Sequence, residues 1–140
     1  MDANVAVANN TLYSFKKGPV AFQKVETPLT DHRTILEDLP QLADQKGLTM
    51  FSTCVADDRF IVLTGGTNNQ GATKGSLFIF DSQQDRWLDS CYPELQTSRS
   101  QHSSCAIGKT IFVFGGCDVD YEYLDSLEWI TLDDEGQATM

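Results

Sequence analysis

The chain has 140 residues, of which 41% are apolar and 10% aromatic, and its formal net charge is -10. That composition excludes a disordered chain and suits one packed β-rich domain. The charge excludes binding to a nucleic-acid backbone or an anionic membrane surface, since both need clustered Lys and Arg. The charge is uneven. No Lys or Arg follows Lys109, whereas Asp118, Asp120, Glu122, Asp125, Glu128, Asp133, Asp134 and Glu135 do. A solvated face is the plain reading of such a run, and a surface for a basic partner is the sharper one.

Met1-Asp2 lacks the positive start of a secretory leader, and Val5 to Ala8 is too short for its apolar core. No apolar run reaches transmembrane length. A cytoplasmic location is therefore expected, with Cys54, Cys91, Cys105 and Cys117 as reduced thiols.

In chain order, residues 1–28 hold weak strand signals. Leu12, Tyr13 and Phe15 precede the turn Lys16-Lys17-Gly18-Pro19, and Val20 to Val25 reads as a second short strand. Val5 to Ala8 is a third candidate. Residues 29–48 form a connecting segment and the one candidate helix. Asp31 would cap it, Ile35, Leu36 and Leu39 would share a face, and Pro40 would end it. Residues 49–98 read as four strands: Met50 to Ala56, Phe60 to Thr64, Leu77 to Phe80, and Arg86 to Ser90 carrying Trp87. The unbroken apolar runs of the second and third predict burial on both faces. Residues 99–140 repeat the first three strands, with a fourth missing or irregular.

Thr53 to Gly66 matches Ser103 to Gly116 without a gap at an offset of 50. Each copy carries an apolar strand closed by a glycine pair, Gly65-Gly66 and Gly115-Gly116. A fixed period of this length is the signature of a repeat architecture. The diglycine after strand two and Trp87 after strand three resemble the kelch repeat. The second copy adds Arg99 and His102 ahead of Ile111-Phe112-Val113-Phe114, whereas Thr49 and Ser52 stand at those places in the first copy at that offset. Leu12 to Val25 would be the last two strands of a preceding unit, with Phe22 in the place of the Trp. The resemblance implies an all-β fold of kelch-type β-propeller blades. It would be incomplete, with two to three four-stranded blades, whereas about 4–8 blades close a ring. Homo-oligomerisation or blades from elsewhere would be needed for closure.

The candidate chemistry is thin. His102 and Cys105 are three apart, which places them on opposite faces of a strand, and His102 occupies the family's structural place. Cys117 follows the diglycine on a loop where exposure is expected, but no base is in view to activate it. Asp118, Asp120 and Glu122 lack the glycine and spacing of a calcium loop. No catalytic residue, metal or cofactor is therefore assigned. The expected function is a non-catalytic module that binds a protein partner through loops 67–74, 91–99 and 117–123. Asn68, Asn69, Gln70, Tyr92, Arg99, Asp118, Asp120, Tyr121 and Tyr123 are the candidate contacts, with the tyrosines as anchors. Family likeness allows a role in ubiquitin ligation or at the cytoskeleton. The alternatives are part of a kelch-type propeller enzyme, an oxidase or isomerase, and a degenerate truncated kelch protein.

Overall fold

The computed structural model describes residues 3–9, 11–16, 22–26, 37–38, 48–88 and 94–139. The described strands form three four-stranded antiparallel sheets, each a simple meander. The first blade is β1 (Ala3–Ala8), β2 (Thr11–Lys16), β3 (Phe22–Glu26) and β4 (Glu37–Asp38). The second is β5 (Ser52–Ala56), β6 (Phe60–Thr64), β7 (Leu77–Asp81) and β8 (Arg86–Trp87). The third is β9 (Ser103–Ile107), β10 (Thr110–Phe114), β11 (Leu127–Leu132) and β12 (Ala138–Thr139). None of the described residues belongs to a helix long and apolar enough to cross a membrane.

The first strands β1, β5 and β9 are successive neighbours, which fans the sheets around one edge. Inner hairpins are stitched in series by Asn9 N–H to Asp58 O at 3.0 Å and Asp57 N–H to Gly108 O at 2.9 Å. This is the arrangement of propeller blades.

Each joint between blades is apolar. Ala6, Ala8 and Tyr13 of the first blade pack with Ile61, Leu63, Phe80 and Trp87 of the second. The opposite face of the second blade, with Phe60, Val62 and Ile79, packs on Ile111, Val113, Ile130 and Leu132 of the third. The middle blade is thus covered on both sides, and β6 is buried at every position, as its unbroken apolar sequence requires. Tyr13, Phe80 and Trp87 meet edge-on, with ring centroids 5.5 and 5.3 Å apart. At the hairpin end, Arg59 grips Asp81 with two bonds of 2.9 and 2.8 Å and reaches Asp134 O of the third blade at 3.3 Å.

Several expectations are corrected. Leu12 and Phe22 lie on the second and third strands of the first blade, not on its last two, and Phe22 pairs with Phe15 rather than standing where Trp87 stands. Of the expected helical segment, the described residues are Glu37, Asp38 and Leu48, and Glu37–Asp38 is the fourth strand of the first blade. The repeat is not free of gaps. Cys54 pairs with Val62 and Cys105 with Phe112, so strand one is offset by 51 and strand two by 50. The extra residue sits in the hairpin: three residues separate Ala56 from Phe60, and two separate Ile107 from Thr110. Arg99 and His102 therefore correspond to Leu48 and Phe51, not to Thr49 and Ser52. The bridges Thr49↔Thr67 and Ser100↔Cys117 carry the same shift.

The glycine pairs differ in what approaches them. Gly65 has φ +61, and a Cβ there would collide with Arg99 O and lie 2.6 Å from His102 Cε1 of the next blade. Gly115 has φ +73 but only Leu124 O nearby, at 3.7 Å. Gly115→Ala should therefore cost about 1 kcal/mol of left-handed backbone strain. Gly65→Ala should add a backbone clash to that and cost several times as much. Denaturant unfolding of both variants checks this, and equal losses would contradict the joint described.

Candidate functional site

Alternating strand direction puts the links 65–76, 94–102 and 115–126 at one end of the blades, opposite the short hairpins. They are tied together through the backbone. Leu95 N–H bonds Gly75 O at 2.9 Å, Arg99 N–H bonds Lys74 O at 3.1 Å, and Gly66 N–H bonds Arg99 O at 2.8 Å. Ser100 and Cys117 exchange bonds of 3.0 and 2.9 Å. The sequence-derived loops do form one surface, within the residues described; Tyr92 lies outside them.

Loops 67–74 and 117–124 share one design. The Asn68 side-chain oxygen accepts from Gln70 N–H at 3.0 Å and Ala72 N–H at 2.9 Å. Asp118 does the same for Asp120 at 2.9 Å and Glu122 at 3.0 Å. Asn68 and Asp118 are therefore half-buried and spent on shaping their own loops. The turn then needs a left-handed residue. Gly71 supplies it in the first copy at φ +80, and Tyr121 in the second at φ +62. A bulky side chain in that region is strained. Tyr121 is 74% and Tyr123 92% exposed, and Asn69, Gln70 and Asp120 are exposed too.

Arg99 is not a surface contact. It is fully buried and bonds Gly115 O at 3.0 Å, Ser126 O at 3.3 Å, Ser126 Oγ at 3.0 Å and Glu128 Oε2 at 2.6 Å. The Glu128 carboxylate also accepts from Gln96 N–H at 2.6 Å and Thr97 N–H at 3.2 Å. This network fixes the link between the second and third blades to the root of loop 115–126. Cys117, expected at the surface, is buried, and its backbone is bridged to Ser100. Cys54 is also buried, and burial pushes its thiol up to about 12. Cys105 is exposed, so it and His102 do not converge. Glu128 was missed from sequence because its role depends on facing Arg99 across the loop.

His102 lies in the joint, with Nε2 2.8 Å from Thr64 Oγ1. Its Nδ1 is buried with no hydrogen-bond partner among the described residues. Burial first, then the positive charge of Arg99, pushes its pKa down to about 4, against the opposing pull of Thr64. The ring is therefore neutral in the folded protein.

Three fanned four-stranded blades, two of them with second strands closed by glycine pairs, define a β-propeller-type repeat protein. The Kelch motif model matches residues 98–134. Kelch-like protein 36 of Bos taurus is 27% identical over 111 residues, covering 77% of this chain and 17% of that protein. Kelch domain-containing protein 3 of Bos taurus is 33% identical over 66 residues, covering 46% of this chain and 17% of that protein. The solved structure of YjhT superposes with a TM-score of 0.75 at 14% identity, over 98% of this chain and 44% of that one. The chain thus carries a Kelch motif over residues 98–134 and is similar to kelch-repeat proteins, and it spans less than a fifth of the length of these curated relatives.

The repeat itself supplies a test of the buried ion pair. Leu48 and Phe78 stand in the second blade where Arg99 and Glu128 stand in the third, and both pack into the joint with the first blade. Arg99→Leu alone should cost about 3–5 kcal/mol, because it leaves Glu128 buried and unpaired. Adding Glu128→Phe should recover much of that loss in a double-mutant cycle read by urea unfolding. Additive losses would mean the two side chains act separately.

The neutral ring of His102 gives a pH test. Its folded pKa lies below the ordinary 6.5, so the unfolded chain takes up its proton first as pH falls. Stability is complete above pH 6.5 and declines toward pH 4, by roughly 3 kcal/mol in all for this one group. His102→Gln should flatten thermal stability over that window. An unchanged slope would place the titration elsewhere.

Proposed function

We propose that this chain is a non-catalytic protein-interaction module that binds a protein partner through its loop end, with Tyr121 and Tyr123 as anchors. The carrying observation is Tyr121. The same turn in the preceding repeat is made without strain by Gly71. A tyrosine there holds a large ring in solvent at the expense of backbone energy, which is the pattern of a residue retained for contact. Tyr123 exposes a second ring two residues away. Asp120, Glu122 and Asp125 surround the pair with negative charge, all exposed. A partner segment bearing Arg or Lys would stack on the rings and meet the carboxylates. The Kelch motif over residues 98–134 and the likeness to Kelch-like protein 36 support a binding role of this kind.

Tyr121→Gly separates this reading from a purely structural role. It should raise stability by about 1 kcal/mol by removing left-handed strain. It should also weaken binding to the protein that the wild-type chain retains in affinity capture by about 2 kcal/mol, roughly 30-fold. Titration calorimetry with that retained protein, alongside thermal melts, reads both effects. Unchanged affinity for Tyr121→Gly and for Tyr123→Ala would overturn the proposal.

A further inference from the structure

We infer that the cavity between the turns of the second and third blades, at the end opposite the loops, is a binding site for a small zwitterion of the amino-acid class. The cavity measures about 300 Å³. Arg59, Gln84, Arg86 and Leu88 line it from the second blade, and Asp134 and Glu135 from the third. Both of these blades are described, so the cavity lies within the chain and not at an end of it. Ligand sites run from about 300 to 1,000 Å³, which suits this one to a small molecule.

The charges on its walls select the ligand. Arg59 is neutralised by Asp81, which it bonds at 2.9 and 2.8 Å. Asp134 is neutralised by Lys109. Two opposite charges are left over, the Arg86 guanidinium on one wall and the Glu135 carboxylate on the other. Neither has an ion partner among the described residues. Arg86 Nε donates to the Gln84 side-chain oxygen at 2.6 Å, which orients the guanidinium and leaves its terminal nitrogens open. The bond from Asp81 raises the pKa of Arg59 most, and the charges of Asp57 and Glu135 add to it. Glu135 therefore acts on the cavity side of its turn. A simple anion would gain from Arg86 and lose to Glu135, and a simple cation the reverse. A molecule carrying both a carboxylate and an ammonium gains from both. A guanidinium–carboxylate bond is among the stronger hydrogen bonds, and Leu88 offers an apolar contact for the rest of the ligand.

Both walls are fixed before any ligand arrives. Asp81 Oδ1 accepts from Gln83 N–H at 3.0 Å, which shapes the turn that carries Gln84 and Arg86. Asp133 Oδ1 accepts from Glu135 N–H and Gln137 N–H, both at 2.9 Å, the same pair of bonds that Asn68 and Asp118 make. This second turn is seated on the second blade through Gly136, where a Cβ would lie 2.5 Å from Leu88 Cδ1 and 2.8 Å from Phe60 Cε1. The bond from Arg59 to Asp134 O at 3.3 Å joins the two walls directly. A site formed in advance loses little ordering entropy on binding.

Titration calorimetry of the full 140-residue chain with L-leucine and with γ-aminobutyrate tests the inference. The two probes hold their charges at short and longer separation, and saturable binding of one or both is expected. Acetylating the amine or amidating the carboxyl of the bound probe should weaken binding about tenfold or more. Arg86→Ala and Glu135→Gln should each have the same effect with an unchanged melting temperature, since both side chains are exposed. Tyr121→Gly should bind as the wild type does, so the result stands or falls apart from the loop-end site. No saturable binding of either probe, equal binding of the blocked forms, or indifference to both substitutions would overturn the inference. So would a loss confined to Arg86→Ala with full binding of the acetylated probe, which would mark a plain carboxylate site.

Discussion

The face-to-face packing of one blade on the next is the contact from which the rest of this molecule follows. A four-stranded sheet with apolar side chains on both faces has no stable existence in water by itself. The middle blade shows the solved case, with Ile61, Leu63 and Phe80 turned toward one neighbour and Phe60, Val62 and Ile79 toward the other. Large buried side chains of this type contribute roughly 1.5–3 kcal/mol each, against about 1–2 kcal/mol of backbone entropy for every residue ordered. Only covering both faces makes that balance favourable. The glycine pairs belong to the same requirement. Gly65 has no side chain because the backbone of the following blade passes where a Cβ would be.

The two joints meet one geometric demand by different chemistry. Where the first and second blades meet, Leu48, Phe51 and Phe78 fill the space with hydrocarbon. Where the second and third meet, Arg99, His102 and Glu128 take those positions; Arg99 and Glu128 bond into the loops and His102 bonds Thr64 across the joint. The apolar solution needs only volume. The polar one needs several partners in the right places, and in return it sets the path of residues 94–102 and of loop 115–126. The positions around Tyr121 are displayed by that framework.

The loop end combines economy with one local strain. Asn68 and Asp118 shape two loops by the same pair of side-chain to backbone bonds, so most of this surface is a consequence of turn chemistry. Tyr121 departs from it by occupying a backbone conformation that Gly71 holds freely. The strain is confined to one residue because the surrounding turn is over-determined by the Asp118 bonds and by the Cys117↔Tyr123 bridge.

Strand periods, turns and the recurrence of the glycine pair are written in the order of the residues, and with them the all-β class and the kelch-type blade. These are local properties: Phe60 to Leu63 and Ile111 to Phe114 are apolar runs closed by glycines whatever surrounds them. The loops that share one end were legible too, since alternating strands fix that geometry. Tertiary structure decided the rest. The one-residue hairpin difference between Asp57-Asp58-Arg59 and Gly108-Lys109 shifts strand one against strand two, and only the pairing of Cys105 with Phe112 reveals it. That shift is why Arg99 looked like a surface residue without a counterpart, when it replaces buried Leu48. Burial of Cys117, the partnership of Arg99 with Glu128 and the exposure of Trp129 all depend on which blade face meets which. No pattern within a single strand encodes that choice, because a buried face and an unpaired face carry the same apolar residues.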